Sequence, residues 1–391
     1  MPSDFHAFFQ RELAEGLRDL ETQGLRRSLK AIGGVNLCSN DYLGLAECRQ
    51  LKEAALAAIR DSSCVGGTGS RLLSGHSRLW DELEREFAEF AGTEAALYFG
   101  SGYTANIGLL TSLLGEGDIV FSDERNHASL IDGMRLSGAR KVVFPHLDLN
   151  ALEAALVDHS ESGRKIIVTE SVFSMDGDFA DIEALLSLAE KYHAGLVVDE
   201  AHATGVHGAG GRGIVASLGR AHEVVAAVHT CGKALASVGA FVCGSATLRE
   251  HLINHARTFI FSTAMPPGMA GQIRAALRLA KEMDVERDAL LSRARQFAAA
   301  LRKAGWELPG STAQIVPAIV GGNEAAVSAA EHLQREGFAV RAIRPPTVPQ
   351  GRARLRLSIT CRVSAEELKR LLAALEVWRA GSLSLATAGR A

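Results

Sequence analysis

The chain has 391 residues, with 42 Lys and Arg against 45 Asp and Glu, a net charge of −3 and 47% hydrophobic content. That length supplies about two or three domains at roughly 100–200 residues each, with ample material for a buried core. The near-balanced charge excludes the basic excess that nucleic-acid or anionic-membrane binding requires.

The first stretch, MPSDFHAFFQRELAEGLRDL, reads as a charged amphipathic helix, without the basic start and apolar core of a signal peptide. No run approaches the roughly 20 apolar residues of a membrane span. The six cysteines, Cys38, Cys48, Cys64, Cys231, Cys243 and Cys361, are scattered and form no C-x-x-C pair. Such spacing argues against a zinc site and a disulfide framework, and for a reducing compartment. The expectation is a cytoplasmic protein with no metal, nucleic-acid or membrane partner.

Short apolar runs then alternate with helical patterns. The strand candidates are 95–100, 118–123, 141–146, 165–170, 195–200, 224–230 and 240–244, β-branched or aromatic and often ending in a polar residue. Helices are predicted at 104–114 and 181–193. The second opens on Asp181 as N-cap, with Glu183 early and Lys191 late, the charge order a helix dipole favours. This alternation predicts an α/β fold with a largely parallel sheet covered on both faces. Ligands of such sheets sit at the carboxyl ends of strands, beside a topological switch point.

After Pro266-Pro267 the pattern changes to a long helical region over 268–305. Strand candidates at 314–322, 338–349 and 354–360 follow, interleaved with helices at 323–337 and 364–380. They predict a smaller α+β domain. The expected division is 1–45 as an N-terminal helix and extended segment, 46–285 as the large domain and 286–391 as the small one.

The stretch VVDEAHATGVHGAGGRG, residues 197–213, contains two nucleotide-site patterns. Asp199-Glu200-Ala201-His202 spells the box of a nucleic-acid-dependent ATPase. That chemistry needs an upstream phosphate loop, yet the only Gly-Lys pair, Gly232-Lys233, lies downstream and is followed by Ala234. Gly208 to Gly213 fits G-x-G-x-x-G, but eight residues separate it from the strand end, so it reads as a turn.

A different chemistry uses the same strand ends. Lys233 sits among small, nearly uncharged residues in CGKALASVGA, just after the strand ending at Thr230. A lysine so placed can form a Schiff base with a carbonyl cofactor. Pyridoxal phosphate needs such a lysine, a carboxylate against its pyridine nitrogen, a phosphate cradle at a helix start and a flat group on its ring. Asp199 suits the nitrogen. Gly100-Ser101-Gly102-Tyr103-Thr104 follows a strand, opens a helix and suits the phosphate, with Thr230 adding a hydroxyl. His127, after strand 118–122, suits the ring face.

With these residues in order, the chain resembles the α-oxoamine synthases, pyridoxal-phosphate enzymes of the aspartate-aminotransferase fold. The matching stretches run from NLCSNDYLGL (36–45) through GGTGSRLLSG (66–75), GSGYTAN (100–106), NHASLIDG (126–133), TESVFSMDGD (169–178), DEAHATG (199–205), GKALASVGA (232–240) and FIFSTAMPP (259–267) to RLRLSIT (354–360). The resemblance implies a fold type I pyridoxal-phosphate transferase: a large sheet domain with a smaller α+β C-terminal domain. It implies that Lys233 holds the cofactor and moves the proton, that Asp199 pairs with the pyridine nitrogen, that His202 bonds the ring oxygen and that His127 stacks on the ring. Gly102, Tyr103 and Thr230 would bind the phosphate, and Glu170 and Ser174 would line the pocket. Asn40 and Arg356 would take the substrate carboxylate. Ser262 and Thr263 would reach the phosphate of a neighbouring subunit, which implies a homodimer with shared sites.

The segment 345–360, PPTVPQGRARLRLSIT, is most similar to members that condense L-alanine with a pimeloyl thioester in biotin synthesis. Relatives using glycine or serine are the alternative. Cys231 stands where members of that family often carry an aromatic or another residue, and is expected to be a small buried filler.

Overall fold

The computed structural model describes residues 4–31, 33–160, 163–309 and 313–388. They form two compact units, one from 40–292 with 360–362, the other from 1–39, 293–359 and 363–391 where described. In chain order the strands among the described residues are β1 (Val35–Asn36), β2 (Ala95–Phe99), β3 (Ile119–Asp123), β4 (Arg140–Phe144), β5 (Lys165–Glu170), β6 (Ala194–Asp199), β7 (Ala226–Thr230), β8 (Ala240–Gly244), β9 (Ile315–Gly321), β10 (Phe338–Ala339), β11 (Ala342–Ile343) and β12 (Ala353–Ser358).

The larger unit is built on a seven-stranded sheet in the order β2-β8-β7-β6-β5-β3-β4. β8 runs antiparallel to both its neighbours, and the remaining pairs are parallel. Period-two alternation sends successive side chains of one strand into two different cores. Val120, Val168 and Val197 pack on one face with Leu109, Leu110, Leu130 and Leu252. Phe121, Ile167, Leu196 and Val198 pack on the other with Leu152, Leu156, Leu185 and Leu186. The first core is closed by helices Gly102–Leu113, Ala128–Ser137 and Ala246–His255, the second by Leu149–Asp158 and Ile182–Lys191. Each fully buried Leu or Phe stabilises the fold by about 1.5–3 kcal/mol.

Asp181 caps its helix as the sequence predicts, accepting from Ala184 N at 3.0 Å. The chain leaves β3 for the edge strand β4, then returns past β3 to β5. The strand order therefore reverses at the carboxyl ends of β3 and β5, where a crevice opens.

The smaller unit holds the three-stranded antiparallel sheet β11-β12-β9 and the parallel pair β1-β10. Two sequence expectations change here and nearby. The helical region 268–305 is two helices, Pro267–Glu282 and Asp284–Lys303, parted at Met283 with φ −97° and ψ 37°. The strand expected over 338–349 is only β10 and β11, because Pro345 and Pro346 cannot donate to a ladder. No helix among the described residues is long and apolar enough to cross a membrane.

Candidate active site

Three parallel strands deliver polar residues to one edge of the sheet. β3 ends at Asp123 and its following turn carries His127; β5 ends at Glu170; β6 ends at Asp199. Glu170 and Asp199 are register partners. Both are buried, at 2% and 4% exposure.

Asp199 is held by two neutral donors. Ala201 N donates to Oδ1 at 2.8 Å and Asn106 Nδ2 to Oδ2 at 2.7 Å. Asn106, on the helix that opens at Gly102, also donates to Ser129 Oγ at 2.9 Å. Ser129 Oγ in turn lies 2.8 Å from His127 Nδ1, which accepts from Ser129 N at 3.2 Å. Nδ1 is therefore an acceptor, and the neutral ring carries its proton on Nε2. His127 is exposed. The protein packed around the ring still removes enough water to lower its pKa; Asp199 opposes this and Lys233 adds to it.

Glu170 shows the opposite shift. Burial pushes its carboxyl well above the ordinary range, and the adjacent Asp199 adds to the effect. Lys233 and the N–H groups of His127 and Ser174 oppose it. Glu170 Oε1 has no hydrogen-bond partner among the described residues. Burial and the neighbouring Asp199 thus favour the neutral form of Glu170.

Lys233 is half-buried in the loop joining β7 to β8. The loop is rigidly tied: Cys231 N donates to Gly239 O at 2.8 Å, Ser237 N to Cys231 O at 2.9 Å and Gln272 Nε2 to Ala236 O at 2.7 Å. Cys231 is fully buried and its thiol is pushed far up by burial, in keeping with a filler rather than a nucleophile.

Helix Gly102–Leu113 starts beside Thr230, capped by Ser101 in a capping box with Thr104. A Cβ on Gly102 would meet Thr230 Cγ2 at 2.7 Å. The bare Gly102 therefore keeps the helix start uncovered beside the Thr230 hydroxyl, which itself reaches Ala201 O at 3.3 Å. His202 is buried, and its Nδ1 lies 2.7 Å from Tyr42 Oη, which also donates to Asn40 Oδ1 at 3.2 Å.

The remaining predicted residues are Ser174, Tyr103, Ser262, Thr263 and Arg356. Ser174 is buried in the loop after β5. Tyr103 is 43% exposed and donates to Asp132, which raises its pKa. Ser262 and Thr263 are exposed, with Thr263 bridged to Ser70. Arg356 belongs to the smaller unit, opposite Pro317 of β9, and donates to Ser358 Oγ at 2.8 Å. Sequence reasoning singled out neither Asn106, Ser129 nor Tyr42, although all three stand inside motifs it used.

Of the nucleotide patterns, neither builds a site. Glu200 turns away from Asp199 and accepts from Ile214 N and Val215 N at 3.2 and 3.4 Å. Gly213 has φ +98°, and a Cβ there would meet Glu200 Oε2 at 1.8 Å. The glycine run encloses this carboxylate.

A mixed seven-stranded sheet with a lysine hairpin, a pinned buried acid and an open helix start at one edge defines a class of cofactor-dependent group-transfer proteins. A model of the aminotransferase class I and II family matches residues 32–375, and the chain belongs to that family. It is 47% identical over 380 residues to the 8-amino-7-oxononanoate synthase of Geobacter sulfurreducens, covering 93% of this chain and 97% of the relative. The enzyme of the same name from Citrifermentans bemidjiense is 43% identical, with 93% and 97% covered. Among solved structures, a serine palmitoyltransferase from S. paucimobilis with bound PLP–myriocin superposes with TM-score 0.88 at 28% identity, covering 97% of this chain and all of that one. The 8-amino-7-oxononanoate synthase of Francisella tularensis gives 0.78 at 27%, covering 90% and 99%.

Proposed function

We propose that this chain is a pyridoxal-phosphate-dependent C-acyltransferase. It condenses L-alanine with a pimeloyl thioester, releasing CO2 and the thiol carrier and forming 8-amino-7-oxononanoate for biotin synthesis. The observation that carries the reading is Asp199: a buried carboxylate fixed by two neutral donors, Asn106 and Ala201 N, at the end of the strand beside the lysine hairpin. The chain's similarity to 8-amino-7-oxononanoate synthases over nearly their whole length supports this choice of substrates.

The residues fit the cofactor on three counts. Asp199 offers a charged acceptor to a protonated ring nitrogen. Gly102 leaves a cradle that a Cβ would fill. Glu170 Oε1 is an orphaned buried oxygen at the pocket wall. When bound, pyridoxal phosphate supplies an electrophilic carbonyl carbon and a protonated ring that draws electron density from the substrate Cα.

The chain's own groups do the rest. Lys233 anchors the cofactor, and its freed amine takes and returns the alanine Cα proton. Asp199 keeps the ring nitrogen protonated. His202 bonds the ring oxygen, with Tyr42 setting its orientation. His127 covers the ring face as a neutral imidazole. The N–H groups of Gly102 and Tyr103, with the Thr230 hydroxyl, hold the phosphate at a helix start. Ser174 and Glu170 close the wall. Asn40 and Arg356 take the amino-acid carboxylate, a role that rests on their sequence motifs; a guanidinium suits it. In a homodimer, the exposed Ser262 and Thr263 reach the phosphate of the neighbouring copy; the solution molar mass and hybrid dimers of Lys233 and Thr263 variants test this.

The serine palmitoyltransferase likeness favours a second reading, in which serine or glycine replaces alanine. One assay separates the two: thioester-dependent CO2 release with each amino acid. Release with alanine alone supports the first reading; preference for serine or glycine overturns it.

A further inference from the structure

We propose that His146 is a positioning residue of this site: its ring ties Asp123, at the end of β3, to Asp178, in the loop after β5. It thereby holds the segment carrying His127 against the segment carrying Ser174.

The geometry is bivalent. His146 Nδ1 lies 2.8 Å from Asp123 Oδ1, and Nε2 lies 2.9 Å from Asp178 Oδ2. Ring and acids are all 8% exposed or less. A neutral imidazole has one N–H, so only the imidazolium donates to both acids at once. Asp123 extends the tie, accepting from Arg125 N at 2.8 Å and Leu147 N at 2.9 Å. On the other side Phe173 N donates to Asp178 O at 3.0 Å, and the Phe173 ring meets His146 edge-on at 4.4 Å. Asp123 and Asp178 are the acids that face the ring. Neighbouring Asp148 and Asp181 are turned to helix starts, accepting from Ala151 N and Ala184 N. Arg125 reaches Asp176 at 2.9 Å and pairs more loosely with Glu124, but it is 38% exposed and screened. Burial works against the charge on His146, yet the hydrogen bonds to Asp123 and Asp178 outweigh it and raise its pKa to about 9.

The clamp stands on these contacts alone; its consequence for the cofactor rests on the reading above. The test uses the full chain as purified, the His146→Gln and Asp178→Asn variants, and pyridoxal phosphate as the probe. Hydrogen exchange at neutral pH should quicken by about tenfold or more in both 124–129 and 171–180 in each variant, the signature of a lost local tie. Unchanged exchange in both segments overturns the proposal. In the wild type, the rate of cofactor loss, followed by absorbance, should be flat near neutrality and rise about tenfold as His146 loses its proton near pH 9. In His146→Gln it should be fast throughout and show no such inflection; an inflection retained in the variant also overturns it. If neither variant folds, NMR titration of His146 in the wild type decides: a midpoint near 9 supports the clamp, and one near the ordinary 6.5 sinks it. A protein that binds no pyridoxal phosphate but shows the exchange changes keeps the clamp and loses the functional reading instead.

Discussion

Two pairs of acids sit at the same edge of the large sheet, and the chain treats them oppositely. Asp123 and Asp178 share a cation that the chain itself supplies, His146. Glu170 and Asp199 are met chiefly by neutral groups: burial and the neighbouring Asp199 push the Glu170 carboxyl well up, with Lys233 opposing, and Asp199 is steadied by an amide and a backbone N–H. Buried charges persist only when paired or well bonded. The first pair is therefore complete as it stands. On the proposed reading, the second is a seat completed by the ligand's protonated ring nitrogen. On that reading, the two pairs differ in whether a side chain of the fold or the ligand completes them.

The most severe way to break the second pair is to remove what faces it. Lys233→Ala should cut alanine- and thioester-dependent CO2 release by about 10³–10⁴-fold, the range for losing a positioned general base. Retained turnover would reject the assignment. Asp199→Asn comes next, with a loss of about 10²–10³-fold, as when one electrostatic stabiliser of a transition state is removed. The fold should survive, because Asn106 Oδ1 has no partner among the described residues and the Asn106 amide can flip to meet the new amide. Exchange of the alanine α-proton in deuterated water is the readout; a normal rate in this variant would end the ring-nitrogen role.

How much of this contrast was legible in the sequence follows from its range. Strand ends at Asp123, Glu170 and Asp199 are local signals of apolar runs closing on a polar residue. The two acid pairs are not local. Asp123, His146 and Asp178 stand on three successive strand–loop segments, and only the β3-β4 and β3-β5 registers bring them together. Asn106 was invisible for the same reason: it reaches Asp199 across 93 positions of chain. Tyr42 reaches His202 across 160. The antiparallel direction of β8 was equally hidden, since hydrophobic period does not encode strand direction. The break at Met283 interrupts a helical pattern without Gly or Pro to mark it.

The first pair is sharpened by pH. His146 is raised from 6.5 to about 9 when folded, so its contribution is complete below about 6.5 and disappears as pH rises through 9. The shift corresponds to about 3 kcal/mol of stability. Urea midpoints should fall between pH 7 and 10, and His146→Gln should flatten the upper part of that decline. A wild-type midpoint constant across the range would contradict the bivalent imidazolium. A smaller effect belongs to the phosphate cradle. Gly102→Ala places a Cβ 2.7 Å from Thr230 Cγ2 and should weaken pyridoxal-phosphate affinity about tenfold, or ~1.4 kcal/mol, with little change in the unfolding midpoint.

The smallest expected effect lies one residue from the second largest, and it tests the comparison most finely. Glu200 follows Asp199 directly and is as deeply buried, yet it faces the turn at 208–215 rather than the crevice. Burial is the main cause that raises its pKa to about 7, with the Ser171 hydroxyl and the N–H groups of Val215 and Ile214 pulling the other way. A raised acid carries no penalty while both states are protonated, so the cost to stability grows as pH rises from about 4.5 to about 7 and is complete above 7. Glu200→Gln keeps an oxygen for Ile214 N and Val215 N and cannot ionise. It should leave turnover within about threefold, under about 1 kcal/mol in the barrier, and raise the unfolding midpoint relative to wild type above pH 7. A loss of turnover matching that of Asp199→Asn would mean that Glu200 also acts on the reacting atoms. The distinction between acids that face the ligand and acids that face the fold would then fail at adjacent residues.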